Sequence, residues 1–132
     1  MLICDEACIT RYAGFIWYLE GDERLPEHIK QLIEDSSNNI QVHIVSFWEI
    51  AIKRSLGKLL LSQSTINLIQ ECIRQHISIL PLSPDELISV ESLPFHHRDP
   101  FDRLIISAAI GNGLLLVSSD DQFDNYPVTR IY

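Results

Sequence analysis

Phe95-His-His-Arg-Asp-Pro-Phe-Asp-Arg-Leu-Ile-Ile-Ser-Ala-Ala-Ile110 decides how this chain is read. Asp99 stands where a helix N-cap belongs, and Pro100 follows at the first helical position, where a missing N–H costs nothing. Asp102 comes three residues after the cap, as the acidic member of a capping box would. Ile105, Ile106, Ala109 and Ile110 then recur at helical spacing, which predicts one buried face. Asp102 is thereby expected at the mouth of an otherwise buried helix, where the helix dipole favours an ionised carboxylate. Such a group is a natural ligand for a hard cation. Taken singly, it is also what an ordinary helix start looks like.

Outward from this helix, strands and helices alternate. Gly111-Asn-Gly113 breaks the helix, and Leu114–Val117 reads as a fully apolar strand running into Ser118-Ser-Asp-Asp121. Val128–Tyr132 is a last short strand. On the other side, Ser83-Pro-Asp-Glu86 opens a helix, and Ile77–Leu80 reads as a strand. Ser64 or Thr65 starts a helix with Ile66, Ile69, Cys72 and Ile73 on its apolar side. Ile40–Ile44 alternates as a strand. Ser46 is expected to cap the following helix, which places Glu49 in its first turn and ends at Gly57. Leu25-Pro26 to about Asp35 and the cluster Phe15–Leu19 supply two earlier helices. Met1–Cys4 is an apolar run compatible with a strand ending on Asp5. Alternation of this kind argues for one domain over residues 1–132, a three-layer α/β/α fold around a mostly parallel sheet.

The 132 residues carry 10 Lys and Arg against 18 Asp and Glu, a formal net charge of -8. That balance lacks the broad basic footprint with which proteins grip phosphates. No apolar run is long enough to cross a bilayer. Three cysteines (Cys4, Cys8, Cys72) without a C-x-x-C pair suggest reduced thiols and a cytoplasmic protein.

Sites in such folds form outside the carboxyl ends of the strands. Asp5, Glu49, Asp102 and Asp120 are all expected near that edge. Oxygen-only ligands suit Mg²⁺ or Mn²⁺. Such ions can activate water and neutralise a phosphodiester during in-line attack. They would also supply the positive charge that the surface lacks. The alternative is four unconnected caps and loop residues. His96 and His97, without spaced Cys or His partners, are read as loop residues bordering the site, not as zinc ligands.

Three segments resemble PIN-domain nucleases of the VapC toxin type. Val45-Ser-Phe-Trp-Glu-Ile-Ala-Ile-Lys53 with Leu56-Gly-Lys-Leu59 is similar to their second motif. Leu93-Pro-Phe-His-His-Arg-Asp-Pro-Phe-Asp-Arg-Leu-Ile-Ile106 is similar to the third, and Leu116-Val-Ser-Ser-Asp-Asp-Gln-Phe123 to the fourth. The resemblance implies a metal-dependent endoribonuclease using Mg²⁺ or Mn²⁺. It also implies a homodimer held inactive by a cognate antitoxin protein. Glu49, Asp102 and Asp120 fall on the family's acidic positions. Asp99 accompanies them as an outer ligand, and Ser118 stands where it could hydrogen-bond in the same outer layer.

Residues 1–14 depart from that pattern. The family has an apolar strand followed by Asp-Thr, and ungapped counting puts Arg11 where that Asp belongs. Either Asp5 is the acid and residues 6 to 14 contain an insertion, or the acid is lost. Ile9-Thr-Arg-Tyr12 can be encoded so that reading one base later gives Leu-Leu-Asp-Thr. In the second case the protein is a catalytically impaired relative that binds an antitoxin or RNA without cleaving it.

Overall fold

The computed structural model describes residues 7–10 and 12–131. Five strands, β1 (Ala7–Thr10), β2 (Asn39–His43), β3 (Ser78–Leu80), β4 (Leu115–Val117) and β5 (Arg130–Ile131), form one sheet in the order β3-β2-β1-β4-β5. Every pairing is parallel, with Thr10 opposite both Val42 and Val117 and His43 opposite Leu80. The carboxyl ends of all five strands therefore lie along one edge.

Among the described residues six α-helices, α1 (Tyr12–Glu20), α2 (Glu27–Glu34), α3 (Ile44–Ser55), α4 (Thr65–Arg74), α5 (Pro84–Glu91) and α6 (Pro100–Asn112), connect the first four strands, and a 3-10 turn, Asp121–Asn125, connects β4 to β5. The chain steps from β1 to β2 to β3, then returns across the sheet to place β4 on the free side of β1. Right-handed crossovers put helices on opposite faces when the direction of travel reverses. The two cores follow that rule. Phe15, Ile29, Leu32, Phe47, Ile50, Leu68 and Cys72, from α1 to α4, pack on one face with Ile40, Val42 and Val117. Ile105, Ile106, Ala108 and Ala109 of α6 pack on the other with Leu116, Phe123 and Tyr126. Leu116 and Val117 point to opposite cores, as successive strand residues must. The expected three-layer α/β architecture is what the chain adopts.

Several boundaries differ from the expectation. The strand expected at Met1–Cys4, with Asp5 and Arg11, lies outside the described residues, and β1 is Ala7–Thr10. Helix α3 begins earlier than predicted. His43, not Ser46, is its N-cap, its Nδ1 accepting from the Val45 N–H at 3.1 Å. Ser46 is instead buried inside the helix, and Glu49 falls in the second turn. In α4 the buried residues are Leu68 and Cys72, while Ile66 and Ile73 are 57% and 62% exposed. Burial pushes the Cys72 thiol up to about 11, so it is held in the unreactive protonated form.

Candidate functional site

A reversal of strand order leaves a crevice at the carboxyl edge between the strands where it occurs. Here those strands are β1 and β4. Asp120 stands three residues beyond Val117 of β4. In the sequence it is position 11, not position 5, that follows the last residue of β1.

Helix α6 delivers its acid to this edge as predicted. Asp99 caps it, Oδ1 accepting from the Phe101 N–H at 2.8 Å and the Asp102 N–H at 3.2 Å. Asp99 thus fixes the backbone of Asp102. The Asp102 side chain is 5% exposed in the first turn, where the positive end of the helix favours its charge. At the far end Gly113 takes the left-handed conformation, φ +62°, a backbone state that favours glycine.

Glu49 is 2% exposed on α3 and pairs with Lys53 Nζ at 3.1 Å, one turn on. Helices α3 and α6 touch close to both acids, since Trp48 meets Phe101 edge-to-face with centroids 5.3 Å apart. Each aromatic is the chain neighbour of one acid.

Asp120 is tied to the segment that leads into α6. Its Oδ2 lies 2.9 Å from His97 Nε2, and its Oδ1 accepts from the Gln122 N–H at 3.0 Å. Ser118 Oγ accepts from the Asp120 backbone N–H at 3.1 Å, so the serine orders the turn and does not contact the carboxylate through that bond. Residues 94–97 are themselves held by two side chains. The Tyr126 hydroxyl accepts from the N–H groups of His96 and His97 and donates to the Pro94 carbonyl. The buried Arg103 guanidinium donates to the carbonyls of Val90, Leu93, Pro94 and His97. On the outer side Arg130 bridges Asp124 and the Ser118 carbonyl. Its guanidinium holds the Asp124 carboxyl below the usual range, chiefly by hydrogen bonding.

Among the described residues, then, the fold brings Glu49 and Asp102 onto touching helices. It links Asp120 to the start of α6 through His97, with Asp99 and Ser118 as backbone supports. No three His, Cys, Asp or Glu side chains among them are already gathered closely enough to hold an ion. The donor set is nevertheless all carboxylate oxygen, two groups buried and one partly exposed, and this chemistry fits a hard divalent cation. Sequence reading placed His97 beside the site but could not supply its partner, 23 residues away. Tyr126 and Arg103 carried no recognisable signal, because their bonds go to backbone atoms of distant segments.

A family profile described as PIN domain matches residues 14–128. No curated protein matches the sequence. Among solved structures, VapBC2 from Rickettsia felis, bound to a DNA fragment from its promoter, aligns with a TM-score of 0.69 at 13% identity. That alignment covers 95% of this chain and 97% of the other. FitAB bound to the IR36 DNA fragment gives 0.62 at 16% identity, covering 94% and 93%. VapBC-1 from nontypeable Haemophilus influenzae gives 0.61 at 14%, covering 95% and 96%. At these identities the likeness is one of fold. No described helix is long and apolar enough to cross a membrane.

Proposed function

Since the chain belongs to the PIN domain family, we propose that it is a VapC-type, metal-dependent endoribonuclease, the toxin of a type II toxin–antitoxin pair. The observation that supports the reading is the contact of α3 with α6 through Trp48 and Phe101, the chain neighbours of Glu49 and Asp102, together with the His97 bond that ties Asp120 to the segment before α6. In this reading the three acids hold Mg²⁺ or Mn²⁺, which when bound supplies a polarised water and offsets phosphate charge. Asp99 keeps the α6 start rigid beneath Asp102, and Lys53 pairs with Glu49 from one turn further along α3. With a net charge of -8, the protein depends on that cation to tolerate a polyanionic substrate. The VapBC and FitAB likeness supports a cognate antitoxin as partner, and the family resemblance supports a homodimer in the cytoplasm. Asp5 as a fourth ligand remains an expectation from sequence.

Structured RNAs incubated with and without Mg²⁺ test this. Cleavage should require the cation and should fall to the metal-free background in Asp102→Asn. Unchanged cleavage in that variant refutes the assignment.

One observation favours a second reading, an impaired relative that binds antitoxin or RNA without cutting. Thr10 ends β1, and the next residue in the sequence is Arg11, a cation at the position where ungapped counting expects the family's first Asp. A protein of this kind shows no cleavage at any Mg²⁺ concentration. The gene's nucleotide sequence bears on the same point, since a one-base shift before Phe15 should restore Leu-Leu-Asp-Thr.

A further inference from the structure

His97 is a buried polar side chain at this edge that the proposed chemistry leaves unused. Its ring stacks on Phe123, with centroids 4.4 Å apart and planes inclined by 17°. Its N–H donates to Tyr126 Oη at 2.8 Å, and its carbonyl accepts from Arg103 at 3.4 Å. The ring is thereby fixed both in plane and at its root. Nδ1 is buried and finds no hydrogen-bond partner among the described residues. An ionised carboxylate can only accept, so Nε2 carries the hydrogen in the 2.9 Å bond to Asp120.

A residue chosen only to fill this space would cost less as Phe or Leu, which leave no buried polar atom unsatisfied. What the histidine adds is one directed donor, aimed at Asp120. That carboxylate is 28% exposed, so a directed donor from a fixed ring narrows the rotamers open to it. With the Gln122 N–H on Oδ1 and His97 on Oδ2, both oxygens are held.

We propose that His97 is a positioning residue for the cation site, fixing the rotamer in which Asp120 is presented to a divalent ion. The inference rests on the cation-site reading above. Hydrogen bonds from an outer layer to a ligating carboxylate orient it, and losing one typically costs about 10–100-fold in metal affinity.

The test is calorimetric titration of Mn²⁺ into wild type, His97→Phe, His97→Met and His97→Gln, with a thermal melt of each without metal. His97→Phe keeps the stack on Phe123 and loses the donor. His97→Gln loses the stack but can return an N–H toward Asp120. Mn²⁺ binding should weaken about 10–100-fold in His97→Phe and His97→Met and recover most of that loss in His97→Gln. Thermal stability should run the other way, Phe above Gln. A merely structural role would make affinity follow stability. His97→Met carries the comparison if the Phe variant does not fold. Wild-type Mn²⁺ binding left intact by both donorless variants overturns the positioning role alone. Failure of wild type to bind Mn²⁺ overturns the cation site and this inference with it.

Discussion

Helices α3 and α6 each bring a buried carboxylate toward the same end of the sheet, but they are started in opposite ways. Helix α6 is begun by adjacent residues, Asp99 accepting from the N–H groups two and three positions on, with Pro100 between. Helix α3 is begun by an imidazole. His43 Nδ1 accepts from Val45 N–H, while its Nε2 sits 2.7 Å from Glu86 Oε2. Glu86 is in turn the acidic member of the capping box of α5, reciprocating with Ser83. Three elements therefore cooperate to begin α3, whereas α6 begins by itself. A local cap can be exchanged at modest cost, but a shared one fails in several places together.

The sharpest way to break this contrast is His43→Ala. It removes the cap of α3 and leaves the Glu86 carboxylate buried without its partner, for an expected loss of about 3 kcal/mol in urea unfolding. His43→Asn keeps an acceptor suited to an N-cap and should recover only the smaller, local share. Asp99→Ala should cost about 1 kcal/mol, the usual value of a single cap. If Asp99→Ala proves as damaging as His43→Ala, the distinction between local and shared caps is wrong. The smallest effect concerns the third acid's loop, braced by Arg130 and Asp124. The Asp124 carboxyl is held below its ordinary value, so this brace is complete above the ordinary carboxylate range and is lost as pH falls through the lowered one. Melting curves of wild type and Asp124→Asn should differ slightly at neutral pH and converge in acid.

The same contrast explains what was legible in the sequence. Asp99-Pro100, Ser83-Pro-Asp-Glu86 and Ser64 are signals written within a few residues, and their helices start where expected. Ser46 looked like a cap by the same logic, but the outcome was decided by Glu86, 43 residues beyond His43. In α4 the expected apolar side included Cys72, which is buried, but packing buries Leu68 beside it and leaves Ile66 and Ile73 exposed. The parallel sheet was readable from the alternation of elements. Glu49, Asp102 and Asp120 were readable as acids near strand ends. Of their supports, His97 was readable as a residue bordering the site but not its bond to Asp120, and Tyr126 and Arg103 were not readable, since their contacts run across the fold.

The position of β1 between β2 and β4 has a consequence for synthesis. As the chain leaves the ribosome, β2 becomes available soon after β1, but Leu115–Val117 emerges about a hundred residues later. Throughout that interval the second edge of the central strand presents unsatisfied N–H and C=O groups, a template for wrong pairing. The nascent chain is therefore most exposed to aggregation just before β4 arrives, and the event that pairs the second edge of the central strand also brings in the segment that carries Asp120.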